Sequence, residues 1–587
     1  MTMTEILRPE HPRPDRLRKD WMTLNGNWRF AFDGQKTGMK EKWYLKKDYP
    51  LEIQVPFAYQ SKLSGIDCQD HCDAVWYERD FTIPENMQSL RRLLHFGAAD
   101  FRADVWLDGQ YLGSHEGGYT PFTFDITDLT ADRETCRLTV RCEDRLDFDQ
   151  PRGKQSYRPE PFACWYTPVT GLWQSVWLEG TGDCYPQDFR LTPHIESASV
   201  KVELELNELP ADGTIRLTAS FRGEMTACQE IRLTTDRFVQ TELYLNHNEW
   251  LEGIHMWSPG NPALYDLKIE TLVDGTVCDT VETYFGMRKV SVSNGYVMLN
   301  QAACYQRLIL DQGYWPDGLL TAPSDEALKR DVELTLKMGY NGARKHQKCE
   351  DPRYLYWADR LGLLVWGELP SAYWLRDSEK RGMMRDLSEA IRRDYNHPCL
   401  ITWVPLNESW GVPFIRFQKE AQELADVLYA LVHCLDGTRL VSGNDGWEQA
   451  STDIVTVHDY TAWPEQLGPD YETEERILHG APGGGRLTSA DGYEHAGKPK
   501  LLTEYGGIAM QKDAGGGNWG YNGAAKDEES FLKRFEAITE AFRHMPGFRG
   551  YCYTQLTDVF QEVNGLLDMN RNPKADPERI REINLRR

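Results

Sequence analysis

At 587 residues the chain is too long for a single core, and ordinary domain sizes divide it into about three to five units. Its 90 acidic against 66 basic residues give a formal charge of −24, which repels phosphate backbones and anionic lipid and argues against nucleic acid or a membrane surface as partner. No stretch is apolar for long enough to span a bilayer, and 41% hydrophobic with 27% charged residues is the make-up of a soluble globular protein.

The first twenty-one residues lack the continuous apolar segment of a secretory signal. Thirteen cysteines, an odd number spread from Cys68 to Cys552, do not make a disulfide framework, so a cytoplasmic location is expected. Cys68, His71 and Cys72 have no second ligand pair nearby, and no zinc site is expected there. Nineteen Trp and 28 Tyr suit either stacking on sugar rings or the packing of large β domains.

In chain order, the aromatics of Trp28–Phe32 alternate as on one face of a strand, and Phe101–Leu107 alternates before the turn signal Asp108-Gly109. With further strands at 138–142 and 174–179, residues 1–182 read as one large β-sandwich. Strands at 200–206, 214–221, 230–233 and 264–273, separated by Gly, Asp, Asn and Pro, predict an immunoglobulin-like sandwich over 183–289. Beyond Lys289 the rhythm turns to strand and helix. Ser324 caps a helix with acids in its first turn that Gly339 ends; Asp351, Pro352 and Gly362 bound a second; Met383 to Tyr395 carry a third. Eight strand candidates, near 305–310, 340–344, 363–367, 400–406, 439–443, 453–458, 500–504 and 548–555, predict a (β/α)8 barrel over 290–587.

Chemistry in that fold gathers where the strands end. An apolar run, Leu400–Leu406, delivers Asn407 and Glu408 to the mouth after strand four, where desolvation would raise the pKa of Glu408 into the range of a proton donor. Asn407 is placed to bond a sugar hydroxyl. Lys500–Thr503 delivers Glu504 after strand seven, across the mouth. Two carboxylates roughly 5 Å apart would cleave a glycosidic bond with retention, Glu504 attacking carbon and Glu408 serving as acid and then base.

These residues resemble glycoside hydrolase family 2, which contains β-galactosidases, β-glucuronidases and β-mannosidases. The resemblance is carried by Leu24-Asn25-Gly26-Asn27-Trp28, Tyr166–Gln174, Trp257-Ser258-Pro259, Phe285–Arg288, Asn396-His397-Pro398 with Asn407-Glu408, and Thr503-Glu504-Tyr505-Gly506. It implies a jelly-roll-like sugar-binding sandwich, an immunoglobulin-like sandwich and a catalytic barrel, with Glu408 as acid/base and Glu504 as nucleophile. Arg344 carries over from the family's Arg-x-x-His-Tyr-Pro run, whereas His346 matches its histidine only with a one-residue shift. Asp311-Gln312 stands where many members have His-Glu.

Further sugar-pocket candidates are Asp311, His458, Tyr460, Tyr553 and Gln555, with Asn444 and Trp447 after strand five. The runs Gly483–Gly485 and Gly515–Gly517 predict mobile rims, with Trp519 or Tyr521 near the leaving group. The family's glucuronidases hold the substrate carboxylate with Asn-x-Lys after the last strand; here Asn564 and Lys574 are too far apart. An unpaired uronate would cost several kcal/mol, so a neutral glycon, galactose, is expected. The alternatives are arabinose and a uronic acid held by Lys345 or Lys348. A non-catalytic carbohydrate-binding protein is the reading from another class. No cofactor is required by this chemistry; Mg²⁺ or Na⁺, bound by some relatives, cannot be carried over to ligands here. A homo-oligomer is compatible with the sequence.

Overall fold

The structure, a computed structural model, describes residues 6–45, 48–245, 253–483 and 485–586. The first five residues of the expected leaderless N-terminus and Gly484 of the first glycine run lie outside these. No helix among the described residues is long and apolar enough to cross a membrane.

The first unit is a sandwich of a six-stranded and a four-stranded antiparallel sheet. In the strand Gly26–Phe32, Trp28 and Phe30 turn inward and are buried while Asn27 faces out, as the aromatic alternation predicts. Arg102–Leu107 and Gln110–Glu116 form a hairpin closed by Asp108 and Gly109 at φ 49° and 80°. Both angles are positive, as a two-residue turn matching strand twist requires. The second unit pairs a three-stranded with a four-stranded sheet. Three of its seven strands, Pro186–His194, Phe238–Tyr244 and Thr276–Phe285, were not anticipated, because polar and charged side chains blur their alternation.

The third unit is an eight-stranded parallel sheet curled into a barrel. Its strands are β1 (Gln306–Asp311), β2 (Gly342–Lys345), β3 (Leu364–Glu368), β4 (Leu400–Val404), β5 (Leu440–Val441), β6 (Val455–Asp459), β7 (Lys500–Gly506) and β8 (Phe548–Thr554). The ladder runs β5-β4-β3-β2-β1-β8-β7-β6. Around it lie α1 (Asp325–Lys337), α2 (Pro352–Leu361), α3 (Asp377–Asp394), α4 (Lys419–Leu435), α5 (Glu474–His479), α6 (Glu528–Arg543) and α7 (Pro577–Leu585). Ser324 accepts a bond from the Ala327 N–H at the start of α1, and Asp351 from Arg353 at the start of α2. Gly362, at φ 78°, ends α2 in the left-handed conformation.

One expected repeat is incomplete: the connection from β5 to β6 holds no helix. These two strands do not share a ladder. Their seam is closed by Asp453 N–H to Val441 O at 2.8 Å, Val441 N–H to the Asp453 carboxylate at 2.9 Å, and Gly446 N–H to Thr456 Oγ1 at 2.8 Å. Residues 442–454 are thereby free to wrap the barrel mouth.

Residues 144–170 leave the first sandwich and lie on that mouth. The Arg152 and Gly153 N–H groups donate to Ser371 O at 3.1 and 3.0 Å, and the Tyr373 hydroxyl donates to Gly153 O at 2.6 Å. Gly153 has φ 60°, and a Cβ there would lie 2.4 Å from Gln347 O, so no other residue fits this contact. Trp165 stacks on Trp410 with ring centres 5.1 Å apart.

Candidate active site

β4 ends in a sharp reversal. Glu408 and Ser409 are both left-handed, at φ 52° and 63°, a conformation that side chains with a Cβ resist. It is held by two bonds from the chain after β5: Glu408 N–H donates to Asp445 O and Ser409 N–H to Asn444 Oδ1, each at 2.9 Å. The reversal turns the Glu408 carboxylate over the mouth, its side chain 20% exposed against 7% for Glu504.

Glu504 rises from within β7. Its Oε1 accepts from Arg344 Nη1 at 3.0 Å and its Oε2 from the Tyr460 hydroxyl at 2.5 Å. Tyr460 is itself fixed by stacking on Tyr521, with ring centres 3.5 Å apart. One carboxylate oxygen of Glu408, one of Glu504 and a ring nitrogen of His458 lie within 4.8 Å of one another. Carboxyl groups roughly 5–5.5 Å apart suit direct attack by one of them, whereas roughly 6.5–9.5 Å is needed to fit a water between.

Arg344, at the end of β2 and fully buried, organises the floor. It donates to Glu504, to Glu368 Oε2 at 2.7 Å and to Asn407 Oδ1 at 2.7 Å, and lies 3.1 Å from Asp445 Oδ1. Burial opposes its charge, but Asp445, Glu368 and Glu504 outweigh this and push its pKa well up. Asn407 thus keeps its Oδ1 on Arg344, while its buried Nδ2 has no protein partner among the described residues and is available to a sugar hydroxyl.

His458, in β6, bridges Glu408 Oε1 from Nδ1 at 2.8 Å and Asp445 Oδ1 from Nε2 at 2.7 Å. Burial lowers its pKa, yet Glu504 and the bonds to Asp445 and Glu408 raise it to about 10. The imidazole is therefore a cation donating to both carboxylates. Glu408 departs from expectation accordingly. Burial pushes its pKa up, but the bond and charge of His458, with Lys154 and Arg344, more than reverse this and hold it below the usual value. Desolvation alone, the effect foreseen for a residue after an apolar strand, does not decide it.

His346 reaches the site, its Nδ1 3.1 Å from Glu368 Oε1, and burial holds it neutral. Trp447 stands edge-on to His458 at 5.5 Å, and Asn444 donates to Trp447 O at 2.8 Å. Trp519 Nε1 donates to Ala163 O at 3.0 Å, tying the loop after β7 to the sandwich segment. Gln555 donates to Asn564 Oδ1 at 2.7 Å.

Two expected sugar contacts are not made available. Asp311 is fully buried, one oxygen accepting from Lys345 Nζ at 2.6 Å and the other from Gly313 N–H at 2.8 Å, so it braces the β1–β2 side. Tyr553 points out of the barrel: strand alternation turns Thr554 toward Tyr460 and packs the Tyr553 ring against Phe535 of α6 and Tyr505. The two lysines offered for a uronate are also engaged. Lys345 lies 2.8 Å from Glu350 besides its bond to Asp311, and Lys348 lies 2.9 Å from the same Glu350.

Four contributors went unforeseen. Glu368 ends β3, and burial raises its pKa to about 7. A glutamate closing an apolar barrel strand was the available signal. Asp445 follows β5 beside the noted Asn444. Glu562 is buried, accepting from the Tyr166 hydroxyl at 2.7 Å and from Asn564 at 3.1 Å. Lys154 comes from the sandwich segment, where nothing in the barrel's periodicity points. As for cations, Glu408, His458 and Glu504 are the three close donors among the described residues, with His458 Nδ1 2.8 Å from Glu408 and 3.6 Å from Glu504.

Comparison with known proteins covers all three units. Residues 21–151 match the sugar binding domain of glycosyl hydrolases family 2, 185–288 the family's central domain, and 322–545 its TIM barrel domain. A beta-glucuronidase of Paenibacillus borealis is 24% identical over 97% of both chains. A beta-galactosidase of Thermoanaerobacter pseudethanolicus is 26% identical over 72% of this chain and 54% of its own length. The β-glucuronidase of Ruminococcus gnavus superposes with a TM-score of 0.79 at 20% identity, covering 99% of this chain and all of the other. With its three domains in family order and paired carboxylates at the ends of β4 and β7, this chain belongs to glycosyl hydrolases family 2.

Proposed function

We propose that the chain is a retaining exo-β-glycosidase whose glycon is D-glucuronic acid. The observation that carries the mechanism is the approach of Glu408 and Glu504 within 4.8 Å across the barrel mouth. Glu504, oriented by Arg344 and Tyr460, attacks the anomeric carbon and forms a glycosyl ester. The proton for the departing oxygen comes from the Glu408–His458 pair, which holds it between Nδ1 and Oε1 at 2.8 Å. Substrate that excludes water from the pair disfavours two separated charges and shifts the proton onto Glu408. In the second half Glu408 takes a proton from water, which opens the ester.

For the glycon, the support is the Paenibacillus relative, named for glucuronide cleavage and matched end to end, against a galactosidase matched over half its length. A neutral β-galactoside is the second reading. Glu562, buried after β8 and bonded by Tyr166 and Asn564, favours it, because a carboxylate there suits hydroxyls better than another anion. Hydrolysis rates on p-nitrophenyl β-glucuronide, β-galactoside, α-L-arabinoside and β-mannoside test the reading in wild type and Glu504→Gln. The expected outcome is a kcat/KM for the glucuronide at least about 100-fold above the others, lost in the variant. A higher rate on the galactoside overturns the glycon, and turnover surviving in Glu504→Gln overturns the nucleophile.

A further inference from the structure

The family's uronate-holding lysine is not rebuilt by folding. Lys574 Nζ is spent on Asp558 Oδ1 at 2.8 Å and on Val563 O at 3.0 Å, and Asn564 on Gln555 and Glu562. Lys345 and Lys348 share Glu350, and Arg344 has three carboxylates. Lys154 differs from all of these. It is 7% exposed, its ammonium lies 4.6 Å over the ring of Trp410, and among the described residues no carboxylate oxygen comes within 4.0 Å of it. Its near polar partner is the Cys164 thiol. Its backbone is pinned by the bond from Tyr166 N–H to Lys154 O at 2.8 Å, and the neighbouring Gly153 is locked against the barrel.

An ammonium this buried, with an indole face for company, is costly unless an anion completes it. The carboxylates around it lie at longer range. Burial lowers its pKa, and Cys164 with Glu562, Glu408 and Glu504 bring it back above the ordinary lysine value. It therefore remains charged, and Trp410, over whose ring it lies, follows Glu408 by two residues with its N–H bonded to Asn407 O at 2.9 Å, which puts the ammonium at the barrel mouth. We infer that Lys154, reaching in from the first sandwich, binds the glycon carboxylate and so determines specificity for uronides. The inference rests on the glucuronidase reading. It also supplies what the absent lysine after β8 leaves open: a positioned cation for a substrate anion that would otherwise be buried unpaired.

The test compares wild type, Lys154→Met and Lys154→Arg on p-nitrophenyl β-glucuronide and on p-nitrophenyl β-glucoside, which carries a hydroxymethyl group where the glucuronide has its carboxylate. Competitive inhibition by glucuronate and by glucose gives a binding readout independent of turnover, and melting temperatures report on folding. Lys154→Met is expected to lose about 100-fold or more in kcat/KM on the glucuronide and a similar factor in glucuronate affinity. Glucoside hydrolysis and glucose inhibition should fall much less, so that the glucuronide-to-glucoside ratio of kcat/KM drops by about 30-fold or more, and Lys154→Arg should fall between. Equal losses on both glycosides, or a Lys154→Met enzyme within about 3-fold of wild type on the glucuronide, overturn the inference while leaving the glucuronidase reading intact. A wild type inactive on glucuronides but active on a neutral glycoside overturns both.

Discussion

Replacing Arg344 with Met keeps the length of an apolar stem and removes the cation around which the floor is built. Its nitrogens lie 2.7 Å from Glu368, 3.0 Å from Glu504 and 3.1 Å from Asp445. Unit charges about 3 Å apart attract by roughly 5 kcal/mol at an effective dielectric of about 20, and this attraction offsets the burial of four charged groups. Without the cation, three carboxylates face one another, and breaking a buried pair typically costs about 3–5 kcal/mol. The acids can relieve this by taking up protons, and Glu368 already stands at about 7. A carboxyl whose folded pKa exceeds its unfolded one binds more protons when folded, so stability falls as pH rises. The variant's deficit should therefore be about 3–5 kcal/mol near pH 8.5 and smaller near pH 6, read from urea unfolding of the barrel at each pH. Activity should fall by about 1,000-fold or more, because Glu504 loses its orienting donor. A loss below about 1 kcal/mol that does not vary with pH would refute the account of Arg344 as the counter-ion of three buried acids.

Glu408→Ala should retain glycosylation of substrates with good leaving groups, such as dinitrophenyl glycosides, and lose about 100-fold or more on poor ones, with added azide restoring turnover through a glycosyl azide; equal losses on both would contradict its role as proton donor. His458→Gln probes the raised histidine. Its folded pKa of about 10 lies above the unfolded value near 6.5, so the stability it contributes is complete below about pH 6.5 and lost as pH climbs through 10. The variant's deficit against wild type should shrink over that range in urea titrations, and a deficit constant with pH would remove the imidazolium from the mechanism.

The barrel and the two glutamates proposed as catalytic were legible in the sequence because the physics that places them is local. Leu400–Leu406 and Lys500–Thr503 are buried apolar runs, and each brings the chain to the barrel mouth close to its glutamate. Position along the chain could not say which way a side chain near a strand end turns. Tyr553 and Thr554 differ by one residue and by the whole thickness of the sheet, and the aromatic was the wrong choice. Asp311 fails for another reason: its neighbour across the ladder, Lys345, satisfies it before any ligand arrives. The protonation of Glu408 depends on His458, fifty residues away, and so escapes any reading of its own strand. Lys154 was invisible because Trp410, over whose ring its ammonium lies, belongs to a different domain.

That last separation has a bearing on how the enzyme comes into being. The Tyr166–Glu562 bond spans 396 positions and the Trp165–Tyr373 bond 208. During synthesis the N-terminal domain is complete long before these partners leave the ribosome. Its segment 144–170 therefore carries Trp165, Tyr166 and Lys154 as a half-pocket awaiting its other half. Assembly of the proposed glycon site is then a docking event late in biogenesis, which joins the half-pocket of the first domain to the barrel that carries Glu408 and Glu504.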